Sequence, residues 1–196
     1  MGVMILVGLL LFAGISGGVK DNPVVSAEEV RATIIAGGPA NFDNCIIDGD
    51  LDLRGLNMDS EVHFNHTLFR DKANFDSTTF NGNANFKNAE FKDNAYFSDV
   101  IFCQYADFRK TEFEGDAYFW NVDFNGTAHT VDNNSNLYGN TEIVILLIDG
   151  NIRDTCSNVD VDFSGAYFKR DAMFWNAYFN GTVNFKDVVF GGYADF

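Results

Sequence analysis

From Phe64 to Phe124 a phenylalanine returns after five residues, then six, then five again, without a miss. Phe64, Phe69, Phe75, Phe80, Phe86, Phe91, Phe97, Phe102, Phe108, Phe113, Phe119 and Phe124 fall on this beat. Followed backwards it meets Met58, Leu53, Ile47 and Phe42, and it resumes at Phe163, Phe168, Phe174, Phe179, Phe185, Phe190 and Phe196. Of the 21 phenylalanines only Phe12 lies off it. Two residues before each Phe the side chain is small or β-branched, as at Ala73, Thr78, Ala84, Ala95, Val100, Ala106, Ala117 and Val122. The residue between is usually polar, as in Ala73-Asn74-Phe75 and Ala106-Asp107-Phe108. Positions two apart share one side of a strand, so the Phe and its small partner point inward and the polar residue outward.

Three-residue strands with two inward side chains bury too little to stand alone. Units of this kind must stack on one another, each supplying the floor of the next. The phenylalanines then become continuous columns along an axis, each ring contributing about 1.5 to 3 kcal/mol on burial.

The tripeptides Ala73-Asn74-Phe75, Ala84-Asn85-Phe86, Ala106-Asp107-Phe108 and Ala194-Asp195-Phe196 resemble the pentapeptide-repeat family, whose unit is A-(D/N)-(L/F)-x-x. The resemblance covers residues 42–124 and 161–196. It implies an all-β chain forming a right-handed quadrilateral β-helix, four steps to a coil. This sequence departs in carrying one extra residue in every second step, as in Phe80-Asn-Gly-Asn-Ala-Asn-Phe86, so a coil takes 22 residues and two corners are widened. Sixteen slots from Phe42 to Phe124 and seven from Phe163 to Phe196 give nearly six coils. At about 4.8 Å per coil the rod is roughly 28 Å long.

The beat fails after Phe124. Thr130 occupies a Phe slot, Asp132-Asn-Asn-Ser-Asn136 has loop composition, and Ile143-Val-Ile-Leu-Leu-Ile148 reads as a strand or a segment packed on the rod. The gap from Thr130 to Phe163 equals three double units, which leaves degenerate repeats as one reading. Against them, Asp116–Thr127 (DAYFWNVDFNGT) is nearly repeated at Asp171–Thr182 (DAMFWNAYFNGT). Taking three double units out of the interval between these two segments leaves one coil and places Trp120 beside Trp175. The chain thus divides into a leader over 1–19, a short N-terminal capping α-helix over 26–37, repeats over 41–130, an insertion over 131–160 and repeats over 161–196.

Residues 1–15 carry no charged side chain, with Val3–Val7 and Leu9–Phe12 as the densest apolar part, which predicts a signal peptide or a membrane anchor. Ser16-Gly17-Gly18 offers small residues for cleavage, and no Cys follows closely, which speaks against a lipid anchor. Ser26-Ala-Glu-Glu29 is a capping box that starts a helix through Val30, Ile34 and Ile35, stopped by Gly37-Gly38-Pro39. That helix is expected to cover the first coil, whose edge otherwise exposes unpaired backbone. At the other end the sequence finishes inside a repeat unit. Its last coil is expected to be covered by more chain or by a second molecule, as in the end-to-end homodimers of the family.

Composition narrows the chemistry. A net charge of −15 and a pI near 4.3 argue against direct nucleic-acid binding through a basic surface. The run Asp48-Gly-Asp-Leu-Asp52 lacks the setting and terminal Glu of a calcium loop, and no metal is assigned to it. Three cysteines, Cys45, Cys103 and Cys156, leave two readings: free thiols, or a Cys103–Cys156 bridge pinning the insertion to the rod, with Cys103 facing outward. His63, His66 and His129 show no metal spacing, and exposure is the simpler account of them. Outward Asp107, Asp123, Asp162 and Asp195 occupy a slot that also takes Asn, Tyr or Glu, which predicts solvated acids rather than catalytic ones. No catalytic residue and no cofactor is predicted.

Outward aromatics are the remaining signal. Tyr96 and Tyr118 share a slot one coil apart, Trp120 and Trp175 are expected neighbours, and Tyr167 and Tyr178 also point out. They form either an interaction surface for a protein or glycan partner, or cross-strand packing. Two functions of different class follow: an exported or membrane-anchored scaffold, located outside the cytoplasm, or, from the resemblance, an acidic B-DNA mimic that binds DNA gyrase. A third is the repeat portion of a larger membrane protein.

Overall fold

The computed structural model describes residues 22–124, 159–179 and 181–196. Among these residues, twenty-three short strands and one helix build a parallel β-solenoid with four faces and about six coils. Face 1 runs from Val24–Ser26 through Ile46–Asp48, Leu68–Phe69, Glu90–Phe91, Glu112–Phe113 and Tyr167–Phe168 to Val189–Phe190. Face 2 runs from Leu51–Asp52 through Ala73–Asn74, Ala95–Tyr96, Ala117–Tyr118 and Ala172–Met173 to Ala194–Asp195. Face 3 holds Asn57–Met58, Thr79–Phe80, Ile101–Phe102, Asp123–Phe124 and Tyr178–Phe179. Face 4 holds Val62–His63, Ala84–Asn85, Ala106–Asp107, Val161–Asp162 and Val183–Asn184.

The alternation of five and six residues maps onto two kinds of corner. Each five-residue step, leading into face 1 or face 3, has its third residue at positive φ, as at His66 (57°), Ser77 (57°), Lys110 (56°) and Asp187 (58°). The residue after it donates back to the Phe carbonyl, as in Thr78 N to Phe75 O at 3.0 Å. Positive φ at the third position with that bond is a type II turn. Six-residue steps lead into faces 2 and 4, and the Ala two before the Phe is the first strand residue there. At the buried slots of the tight corners, Thr67, Thr78 and Thr111 donate their hydroxyls to Phe42 O, Leu53 O and Phe86 O of the preceding coil at 2.7–2.8 Å. Their polar atoms are thereby satisfied inside an apolar core.

Within a column the rings stack face to face, Phe91–Phe113 at 4.9 Å and 2°, Phe97–Phe119 at 4.9 Å and 2°. Between columns they meet edge to face, Phe86–Phe97 at 5.6 Å and 89°. The ring quadrupole favours the edge-to-face contacts and, in parallel stacks, an offset of the rings, and such pairs add about 0.5–1.5 kcal/mol beyond area burial. The ladder from Phe64 to Phe124, and Phe163, Phe168 and Phe174, is fully buried. Phe179, Phe185 and Phe190 are only partly buried and Phe196 is 64% exposed, a departure from the uniform column expected. These four belong to the last described turns, where no further coil lies over their rings, and Phe179, Phe185 and Phe196 rim a hollow of ≈ 980 Å³ with Phe174 and Trp175.

The coils on either side of residues 125–158 stack directly. Ala106 pairs with Val161, Glu112 with Tyr167, Ala117 with Ala172 and Asp123 with Tyr178, so no rung intervenes. This is the register that removal of three double units requires. Residues 131–158 of the expected insertion, and the leader over 1–19, lie outside the described residues.

At the N-terminal end the helix spans Ala27–Ile35, shorter by a residue or two at each end than 26–37. Ser26 is its N-cap and accepts from Glu29 N at 3.2 Å. Ala27 and Val30 are buried against the first coil, and the Arg31 guanidinium donates to Asp52 O. The strand Val24–Ser26 was not legible in the sequence. It pairs in parallel with Ile46–Asp48 and completes the edge of face 1, while the helix lies over the coil end. Among the described residues no helix is long and apolar enough to cross a membrane.

Candidate functional site

Residues one place either side of an inward Phe point outward on the same face, and the 22-residue coil stacks them into rows. On face 2 the outward row reads Asp52, Asn74, Tyr96, Tyr118, Met173, Asp195. Tyr96 and Tyr118 stack ring on ring at 5.0 Å and 6°. Trp120 stands edge-on to Tyr118 at 5.4 Å and 82°. Trp120 and Trp175 sit one coil apart at the corner between faces 2 and 3, exposed by 41% and 61%. Their register is fixed by Asn121 and Asn176 beside them, Asn176 Nδ2 donating to Asn121 Oδ1 at 2.9 Å. Tyr178 follows on face 3, 44% exposed.

Tyr96, Tyr118, Trp120, Trp175 and Tyr178 therefore form one ridge around a single corner. Tyr167 does not belong to it. Its strand lies on face 1, opposite face 3, where it pairs with Glu112 and Val189. The Tyr phenols at the ridge edge are tied down: Asn94 Nδ2 donates to Tyr96 Oη at 3.3 Å, and Tyr118 Oη donates to Asp116 at 3.5 Å. Burial, then the Asp116 carboxylate and Tyr96, raise the Tyr118 phenol above its ordinary pKa.

The outward acids are less solvated than their slot suggests. Asp107 is 3% and Asp123 4% exposed, while Asp162 is half-buried. A neighbour above and below shields each residue of a mid-rod row. Arg109 clamps Asp107 with Nε at 2.8 Å and Nη2 at 2.5 Å, and this partner holds the guanidinium pKa above its ordinary value. Asp52 and Arg54 repeat the arrangement at 2.9 and 2.7 Å, and there Arg54 holds the carboxyl below its ordinary pKa. Sequence reasoning missed both pairs, although the signal was present. In Asp52-Leu53-Arg54 and Asp107-Phe108-Arg109 the charges flank an inward residue and so must share a face.

Cys103, expected to face outward in the open, is 7% exposed and disulfide-bonded. Its expected partner Cys156 lies outside the described residues. Cys45 is free, its thiol pushed up by burial and by Asp43. His63 lies 3.6 Å from Glu61, and His66 meets Asn88 at 3.3 Å, in a shallow groove of ≈ 410 Å³ on face 4 that Lys87 and Arg109 also line. Along face 1, Glu114 accepts from Lys92 at 3.0 Å and from Lys169 at 2.6 Å, and Lys92 also pairs with Glu90. Hydrogen bonds from Lys169, then Lys92, lower the Glu114 carboxyl to about 2.

Stacked Phe columns, four parallel faces and outward rows of mixed chemistry define a β-solenoid whose surface, not its interior, is free to vary. The family model described as pentapeptide repeats (9 copies) matches residues 64–111, the central coils. The chain's central coils are pentapeptide repeats. No curated protein and no solved structure matches it.

Proposed function

We propose that this chain is a non-enzymatic scaffold, exported or membrane-anchored, that engages a partner through the aromatic ridge of faces 2 and 3. The ridge carries the reading: both tryptophans of the chain stand exposed at one corner of a rod whose other large aromatics are mostly interior. Export is supported by the apolar run over 1–15 and by a disulfide-bonded Cys103, a bond that persists in oxidising compartments. A non-catalytic role is supported by the use made of the recurring acids. Asp107 is occupied by Arg109, and Asp162 accepts from Ser164 N at 2.7 Å.

Fractionation of native cells, with the mass of the recovered N-terminus, tests the proposal. A mature chain beginning near Val19 outside the cytosol, or a full-length chain in the membrane fraction, is the expected result. Recovery from the cytosol with residues 1–19 intact overturns it. The net charge of −15 then favours the DNA-mimic reading, and a gyrase supercoiling assay decides that case.

A further inference from the structure

The ridge is flanked by carboxylates that the rod does not neutralise. Asp99, exposed, lies one coil before Asn121, whose amide donates to it at 3.0 Å, and so sits beside the Trp120 corner. Asp171 opens the face 2 strand that ends at the Trp175 corner, and its Oδ1 accepts from Tyr193 N at 2.8 Å. Asp93, exposed, stands at the entry to the Tyr96 strand. Among the described residues none of these three forms an ion pair. The neighbouring guanidiniums are already engaged, Arg54 with Asp52 and Arg170 with Asp116.

Ring geometry limits what the ridge can hold. Tyr96 and Tyr118 stack on each other and Tyr118 meets Trp120 edge-on, so the open aromatic surface is that of the indoles, and their acidic margin favours a cation there over a neutral sugar. Two indoles within an acidic margin remain. A cation satisfies both features at once, since an indole face attracts it electrostatically and the carboxylates supply the counter-charge.

We propose that the ridge is a docking surface for a Lys/Arg-rich segment of a partner protein, laid along the solenoid axis. Basic side chains lie over Trp120 and Trp175 with Asp99 beside that corner, and the segment's further charges meet Asp171 and Asp93 across face 2. This deepens the scaffold reading and rests on it. The net charge of −15 adds long-range attraction for such a partner, and the aromatic corner gives the register that charge alone lacks.

Because Trp120 and Trp175 are the chain's two tryptophans, intrinsic fluorescence reports this corner alone. The test titrates nona-arginine into the full-length protein, oxidised, and follows tryptophan emission in parallel with calorimetry. Saturable quenching is expected, weakened at least tenfold between 50 and 500 mM salt, in keeping with screening lengths falling from about 14 to about 4 Å. Trp120→Leu with Trp175→Leu is expected to weaken calorimetric binding about tenfold. Asp99→Asn with Asp171→Asn does the same several-fold, and Glu61→Asn on face 4 leaves it unchanged. The Asp pair also serves if the Trp double variant does not fold. Unchanged emission at saturation, or equal loss from the face 4 variant, overturns the proposal. So does quenching by neutral chitohexaose in place of the cation, which assigns the ridge to a glycan. An exported chain that ignores nona-arginine keeps the scaffold reading and removes only the basic partner.

Discussion

Tyr96 and Phe97 are adjacent in the chain and belong to opposite worlds. Phe97 is buried in a column of identical rings, stacked on Phe75 at 4.8 Å and on Phe119 at 4.9 Å. The Tyr96 row changes at almost every coil, from Asp52 and Asn74 through two tyrosines to Met173 and Asp195. The interior is repetitive because every coil must fill the same cross-section at crystalline density. The exterior carries no such demand, so individuality, and any binding, resides in the outward rows.

The sharpest way to break the comparison is to put a charge into a column. Phe86→Asp places a carboxylate among stacked and edge-on rings with no partner, and the rod is expected to unfold. Far-UV circular dichroism checks this against Asn85→Asp, one residue away. Asn85→Asp has a small cost rather than none, since the Asn85 amide donates to Glu61 at 2.8 Å and its coil neighbour is Asp107. We expect about 0.5–1 kcal/mol from the like charges. Equal loss from the two variants would abolish the inward and outward assignment.

Truncation is milder and separates the same two rows. Phe97→Ala is expected to cost about 3–5 kcal/mol in chemical denaturation, through lost burial and a cavity that stacked neighbours cannot close. Tyr96→Ala loses one stacking partner at a half-exposed site, about 0.5–1.5 kcal/mol. A Tyr96 penalty as large as that of Phe97 would show that the ridge is part of the core.

Asp107 blurs the division, being outward yet buried, and its pair with Arg109 gives an asymmetric prediction. Arg109→Ala strands a carboxylate at 4% side-chain exposure, whereas Asp107→Ala leaves a guanidinium that is 40% exposed and can hydrate. Arg109→Ala should therefore cost the more, about 1–3 kcal/mol by thermal or urea unfolding. The reverse order would mean that packing of the Asp row, not its charge, holds face 4.

The fold was legible because its core is periodic and its residues are few in kind. Phe, Ala and Thr slots read directly as inward positions, and the repeated DAYFWN and DAMFWN segments carried the register across the break. What stayed hidden was set by neighbours a coil away in space and far off in the chain. The Val24–Ser26 strand has no repeat signature, and it forms because face 1 offers an open edge to a chain already entering beside Ile46. Burial of Asp107 depends on the coils above and below it. The separation of Tyr167 from the ridge followed from which of four faces each step reaches, and the five-residue step leads alike into face 1, where Tyr167 lies, and face 3, where Tyr178 lies.

The smallest expected effect lies in a partly exposed ion-pair row on face 1. Glu114 joins Lys92 and Lys169, one coil on either side, and its carboxyl is lowered from 4.5 to about 2. A carboxylate with a depressed folded pKa contributes stability that is present above about 4.5 and is lost as pH falls toward about 2. Glu114→Gln should therefore lower stability slightly at neutral pH, a small loss because solvent screens a partly exposed cluster, and the two proteins should converge as pH falls through that window, so that the variant has the flatter acid limb. Adding about 0.5 M salt should shrink the difference between the two proteins. Urea midpoints measured across the acid range up to neutral pH read both effects. Parallel curves for the two would show that this ladder is surface decoration, and that stacking of the Phe columns alone joins Glu114 to Lys169 across the break.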